Sequence, residues 1–185
     1  NSGNADLRPE TSETHEILVR HFTNALNIEL SIYDTEVEDL ISWDEVSKGV
    51  WKPSNVDKAT MQGVDLTASY QQGDFHHQLN AGYVDTEDAK TKDELLRRPK
   101  LSANYTLAYQ WEAWNFNSTV SYRDESIDKS KLDSYWLFDL GAQWQVTDSV
   151  LLSAKINNLF DEEYETATNY FADGRNFKIN ASFSF

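Results

Sequence analysis

The sequence contains no cysteine, which excludes disulfide scaffolds, cysteine-based zinc sites and thiol catalysis. Its longest apolar runs are only a few residues, far short of the ~20 that a transmembrane helix needs. No basic-then-apolar leader opens the chain, so no signal peptide is expected within it. Positive charge is scarce: 16 Lys and Arg against 31 Asp and Glu leave a net charge of −15. That balance opposes nucleic-acid binding, because neutralising phosphates takes clustered Lys and Arg. Mean hydropathy is also low, at −0.64. Aromatic residues, in contrast, make up 13% of the 185 residues, too many for a disordered acidic chain. A length of 185 fits about one domain. Low mean hydropathy with many aromatics suits a transmembrane β-barrel, in which every second residue faces a polar lumen.

Apolar and polar residues alternate from about residue 13 onward, the signature of strands with one apolar and one wet face. In the last strand Phe177, Ile179, Ala181, Phe183 and Phe185 alternate with Lys178, Asn180, Ser182 and Ser184. Trp136, Phe138, Leu140, Ala142, Trp144 and Val146 alternate with Leu137, Asp139, Gly141, Gln143 and Gln145. Leu101 to Trp111 and Val64 to Tyr70 behave in the same way. Nine strands are expected, at about 13–22, 26–36, 59–71, 75–87, 98–111, 114–125, 135–146, 149–158 and 174–185, with ends good to about two to four residues.

The connections alternate in length. Short ones fall at Thr23-Asn24-Ala25, Gln72-Gly73-Asp74, Glu112-Ala113 and Thr147-Asp148. Long ones are expected over 37–58, 88–97, 126–134 and 159–173. Outer-membrane barrels keep this rhythm, with short periplasmic turns and long extracellular loops. Tyr70, Phe75, Tyr109, Trp111, Trp114, Phe116, Trp144 and Phe185 lie near the short-turn ends, where interfacial girdles form. Tyr83, Tyr105, Tyr122 and Trp136 lie further up. Bacterial single-chain barrels have an even number of strands, so nine reads as part of a larger barrel that does not transport alone.

Four motifs carry a family resemblance. Asn4-Ala5-Asp6-Leu7-Arg8-Pro9-Glu10 with Glu16 looks like the lead-in "NPxLxPE…E" of a barrel strand, departing at Ala5. Leu95-Leu96-Arg97-Arg98-Pro99-Lys100 looks like an "L-x-R-x-P" strand start. Asn158-Leu159-Phe160-Asp161 with Tyr164 looks like the hallmark "NLFDxxY", and Gly174-Arg175 before a strand ending in Phe185 looks like the family terminus. Together they resemble the C-terminal third of a TonB-dependent outer-membrane receptor, nearest to those that carry cobalamin (vitamin B12). The resemblance implies an all-β, antiparallel transmembrane β-barrel of twenty-two strands with a plugged lumen. These nine strands would be its last, with the plug and TonB-contacting segment elsewhere. It implies a Gram-negative outer-membrane location and an active transporter, not an enzyme. Rival readings are a ferric-siderophore or haem receptor of the same family, an outer-membrane barrel enzyme or adhesin, or a soluble β binding domain.

The residues of these motifs have physical roles of their own. The Asn and Asp of NLFD are expected to bond nearby backbone and turn the strand, with Leu159 and Phe160 anchoring the loop base. Gly174 is expected to supply dihedrals closed to other residues, and Pro99 to begin a strand, where a missing N–H is tolerated. Lys178, Phe183 and Phe185 match the terminal signal of the outer-membrane assembly machinery, although Asn180 stands where that pattern often has Gly. Strand addition is the physical mode of such recognition.

By resemblance, Arg97 and Tyr170 match ligand-contact positions for cobalamin. Arginine offers donors to amide or phosphate oxygens, and tyrosine a flat amphipathic surface. The local alternative for Arg97 is a salt bridge with Asp93 or Glu94. Catalysis finds no motif: G-x-S-x-G, H-E-x-x-H and phosphate-binding Gly loops are missing. Adjacent His76 and His77 point to opposite faces of a strand. No cofactor or metal site is expected. The acid-rich stretches 35–58 and 159–175 lack EF-hand spacing and read as solvated surface, or as bridging lipopolysaccharide through divalent ions.

Overall fold

Alternation becomes one long antiparallel meander. The computed structural model describes residues 3–184, without the side chains of Ser42, Asp44, Glu45, Val56 and Asp57. β1 (Thr11–Phe22), β2 (Leu26–Ser47), β3 (Val50–Gln72), β4 (Phe75–Asp88), β5 (Leu101–Trp111) and β6 (Trp114–Arg123) follow one another. β7 (Ser126–Ile127) and β8 (Lys131–Leu132) form a small hairpin in the next connection. β9 (Tyr135–Thr147) and β10 (Val150–Asn157) come next, then a second small hairpin of β11 (Glu165–Ala167) and β12 (Tyr170–Phe171), and finally β13 (Asn176–Phe183). Nine of these strands make a single sheet, ordered β1-β2-β3-β4-β5-β6-β9-β10-β13.

Directly paired residues share a face, so the register sorts the side chains. Ile179, Ala154, Ala142, Phe116, Tyr109 and Phe75 fall in one cross-strand row. Trp136, Tyr122, Ala103, Ala81, Leu66, Leu30 and Val19 make a higher row of the same face. The opposite face carries Asn180, Ser153, Gln143, Asn115 and Gln110, and higher up Asp139, Thr119, Thr106, Gln78, Ser69 and Asn27. Val150, Leu152, Ala154 and Ile156 therefore share the apolar face, and Ser153, Lys155 and Asn157 the polar one.

The apolar face forms a bounded band. At its upper edge the row Leu101, Tyr83, Val64, Ile32 and Ile17 is followed, one step on, by Asp85, Gln62, Asp34 and His15. At the short-turn end rings stack across strands, Trp114 on Trp144 at 5.1 Å and Phe75 on Tyr109 at 4.6 Å between centroids. Higher up Tyr122 meets Trp136 at 4.7 Å. β5 has 11 residues, the length a tilted strand needs to cross a bilayer, about 9–11.

This sheet has almost no core. Among the described residues the buried apolar side chains are Val37, Ala59 and Leu132, all beyond the band, while Ile179 is 87% exposed. A face this apolar and this open is stable against hydrocarbon, not water. The soluble-domain reading lacks the buried core it requires.

Several expectations are corrected. Residues 37–58 are not a loop: β2 and β3 stay paired from Val37↔Ala59 out to Ser47↔Val50, turning at Gly49 (φ +77). The sequence hid this because alternation fades once neither face meets lipid, while backbone pairing needs no alternation. β5 begins at Leu101, not 98, and Pro99 lies in the loop before it; β6 ends at Arg123. Of the remaining long connections, those between β6 and β9 and between β10 and β13 hold the two small hairpins, while the one between β4 and β5 has no strand. Strand-interior Gly63 has a steric reason. A Cβ there would lie 2.4 Å from the Tyr33 ring and 2.8 Å from the Tyr83 carbonyl oxygen, so only glycine lets that ring lie across the ladder.

An arginine in place of Ala154 should cost about 2–4 kcal/mol if it enters the middle of the lipid-facing band. At Ser153, on the other face, it should cost much less. Urea unfolding of the vesicle-inserted protein, read as the folded fraction on a gel, measures both.

Candidate functional site

Beyond the band the chain is organised by polar side chains. The N-terminal segment lies against the β2–β3 hairpin. Asn4 Nδ2 donates to the Pro53 carbonyl at 3.0 Å, and the Arg8 N–H donates to Asn55 Oδ1 at 2.9 Å. Asn55 Nδ2 donates in turn to the carbonyls of Arg8 (3.0 Å) and Asp39 (2.6 Å). Arg8 also pairs with the Asp39 carboxylate, and Glu10 accepts from the Ile41 N–H at 2.6 Å. The Pro-Glu motif thus fastens the first strand to the hairpin.

The NLFD motif is a second fastening. Asn158, buried at φ +52, donates through Nδ2 to the Glu162 carbonyl at 2.9 Å and accepts from the Glu162 N–H at 2.8 Å. Its own N–H donates to Asp139 Oδ1 at 3.0 Å, while Lys155 pairs with the same carboxylate at 3.1 Å. Phe160 stands edge-on to Phe138 at 4.9 Å. Asp161 does not serve its own turn, as the sequence suggested; it accepts the Arg175 N–H, fourteen positions on, at 2.6 Å. Gly174 is likewise not used for a positive φ. A Cβ there would lie 2.7 Å from Asp161 Oδ1, so the glycine leaves room for that cap.

The third fastening is Asp128, whose side chain is only 3% exposed. Oδ1 accepts from Arg97 Nε at 3.0 Å, and Oδ2 accepts from the Thr168 N–H at 2.8 Å. The Thr168 hydroxyl also bonds the Ser130 hydroxyl at 3.2 Å. The Arg97 N–H donates to the Ile127 carbonyl at 2.7 Å. Lys129 sits 4.3 Å above the Trp51 ring. One short loop, 124–134, thereby touches the β2–β3 hairpin, the 89–100 loop and the β11–β12 hairpin. The Thr168 N–H first, and then Arg97, hold the Asp128 carboxyl below its ordinary value, against the opposing effect of burial.

Between the β2–β3 hairpin and the 89–100 loop lies a cavity of ≈ 680 Å³, lined by Ile41, Trp43, Asn55, Leu96, Arg97 and Arg98 among others. Arg97 is there, held at φ +59 and 59% exposed along its side chain. Its partner is Asp128, not Asp93 or Glu94: Glu94 pairs instead with Lys100 at 2.6 Å. Tyr170 stands 72% exposed on β12, two residues past Thr168 and outside the cavity lining. Lys178 lies on the polar face opposite Lys155, and Phe183 on the apolar face opposite Val150. Phe185 lies outside the described residues. Sequence reasoning missed Asp128, Thr168 and Trp43: a lone acid, threonine or tryptophan in a loop carries no spacing signal.

A nine-stranded meander with a lipid-compatible face, short turns at one end and fastened loops at the other defines an outer-membrane β-barrel wall. Comparison with known proteins gives the family: the TonB dependent receptor-like β-barrel matches residues 1–159, and the chain belongs to it. Its members are outer-membrane proteins of Gram-negative bacteria, transporters and receptors rather than enzymes. The vitamin B12 transporter BtuB of Vibrio vulnificus is 32% identical over 193 residues, covering 100% of this chain and 31% of that protein. BtuB of Photobacterium profundum is 33% identical over 192 residues, covering 100% and 32%. The chain thus spans about a third of these relatives. Among solved structures the copper transporter OprC superposes with a TM-score of 0.87 at 25% identity, covering 98% of this chain and 33% of that one. The ferric yersiniabactin receptor FyuA of Yersinia pestis gives 0.81 at 18%, covering 95% and 30%, a likeness of fold.

A carboxylate held below its ordinary value stabilises above that value and fails as acid protonates it. Because its folded-state value lies below the ~4 of a free carboxylate, the Asp128 contacts should hold through that pH and be lost only as the pH falls on through the lowered value. Hydrogen exchange of the Thr168 amide, protected above that point and released below it, is the measurement.

Proposed function

We propose that this chain forms part of the wall of an outer-membrane active transporter that binds cobalamin at the cell surface and imports it with energy delivered through TonB. The carrying observation is a chain that aligns along its whole length with vitamin B12 transporters and holds an arginine- and tryptophan-lined cavity at its loop end. Cobalamin offers amide and phosphate oxygens around a flat ring. Arg97 supplies donors to those oxygens, and Tyr170 an exposed ring suited to the flat surface. Residues 1–185 supply barrel strands; the plug and the TonB contact belong to the whole transporter.

Cobalt-labelled cyanocobalamin uptake, in cells lacking their own cobalamin receptor and carrying the full-length protein, tests this. Uptake should require TonB, and Arg97→Ala or Tyr170→Ala should each weaken cyanocobalamin binding by roughly tenfold, as expected when a hydrogen bond to a charged group or a stacked ring is lost. Uptake of a ferric siderophore in place of cobalamin would assign the cargo to the rival reading.

The last strand carries a second part of the proposal, recognition by the outer-membrane assembly machinery through Lys178, Phe183 and Phe185. β13 supports it by presenting Phe183 on the apolar face and Lys178 on the polar one. Phe185→Ala should slow insertion while leaving the stability of inserted protein nearly unchanged. Pulse-chase partition between membrane and periplasmic aggregate reads it, and unchanged insertion kinetics would remove the assignment.

A further inference from the structure

We propose that Asp128 is the positioning residue of the ligand site, its single carboxylate holding Arg97 and the Tyr170 hairpin together as a preformed pair. The inference rests on Arg97 and Tyr170 being the ligand contacts proposed above.

Three features support it. The carboxylate is buried, and its two oxygens are divided between two loops far apart in sequence, Arg97 Nε at 3.0 Å and the Thr168 N–H at 2.8 Å. A buried charge of this kind is stable only with both partners in place, so the loops are tied to each other through it. Arg97 also sits at φ +59, a conformation that bulky residues rarely adopt and that persists when its surroundings hold it. Its N–H to the Ile127 carbonyl at 2.7 Å and its Nε to Asp128 are those surroundings. Finally, the bond to Asp128 engages Nε while the side chain remains 59% exposed and lines the cavity. Asp128 thus fixes the direction of the guanidinium without covering it. On the other side, the Thr168 bond anchors the turn of the hairpin whose next strand begins at Tyr170. Ordering both groups before the ligand arrives removes an entropy cost from binding.

The test uses the full-length receptor and cyanocobalamin. Asp128→Ala should weaken binding by roughly tenfold, and Asp128→Asn, which keeps one acceptor oxygen, should fall between the two. Added to the Arg97→Ala/Tyr170→Ala double variant, Asp128→Ala should change nothing further, because a positioning residue acts only through what it positions. Nitroxide labels at Thr91→Cys and Thr166→Cys should give a narrow distance distribution that broadens in Asp128→Ala. Unchanged affinity in Asp128→Ala, an equal loss in the double-variant background, or a distribution that stays narrow would each overturn the proposal. If Arg97→Ala and Tyr170→Ala themselves leave binding intact, the ligand-site reading and the positioning role both fail. Broadened distances would then make Asp128 a tie between loops and nothing more.

Discussion

The backbone hydrogen-bond ladder is what the rest of this structure depends on. A sheet with two buried apolar side chains, Val37 and Ala59, among its described residues gains little from packing within itself. Its stability must come from strand pairing and from the hydrocarbon that covers its outer face. In lipid each unpaired N–H or C=O costs several kcal/mol, so a broken rung is far more costly than in water. That requirement explains why each of the nine strands of the sheet is paired to the next, with a register shift at Val150/Leu151 beside a short turn, and why proline is absent from the barrel strands within the band. It also explains how so polar a sequence belongs in a membrane: alternation hides half of every strand from lipid.

Past the band the constraint changes, and so do the devices. Water can satisfy stray backbone groups there, so the chain is free to leave the ladder. It is held instead by a few side chains that bond backbone atoms elsewhere in the chain: Asn55 and Asn158 with more than one such bond each, Asp161 and Asp128 with one each. The exposed lysine pairs around them, such as Lys92 with Glu87 at 2.7 Å and Lys131 with Glu125 at 2.6 Å, contribute little each, because solvent screens them. Buried polar groups with full complements of partners are what fix a loop in one shape.

Function follows from this division. The banded sheet provides a rigid wall with fixed orientation. The loop end provides side chains that project from a fastened frame, Arg97 from a strained turn and Tyr170 from a two-strand hairpin. The NLFD hallmark is accordingly a structural motif: its asparagine and aspartate are used up in bonds to the chain itself, and its phenylalanine packs on Phe138.

The sequence by itself determined the strands, their faces and their membrane setting, because period-2 alternation and aromatic placement are local signals that a bilayer enforces residue by residue. It also determined the family, through motifs spread along the chain. It did not determine the continuation of β2 and β3 to the turn at Gly49, since outside lipid nothing requires alternation. Nor did it disclose why Gly174 is glycine, which depends on Asp161 thirteen positions away. The partner of Arg97 was beyond its reach for the same reason. Near neighbours Asp93 and Glu94 were the local choices, but the backbone bond to Ile127 and the buried position of Asp128 decide the pairing, and only the folded arrangement of three loops brings those atoms together.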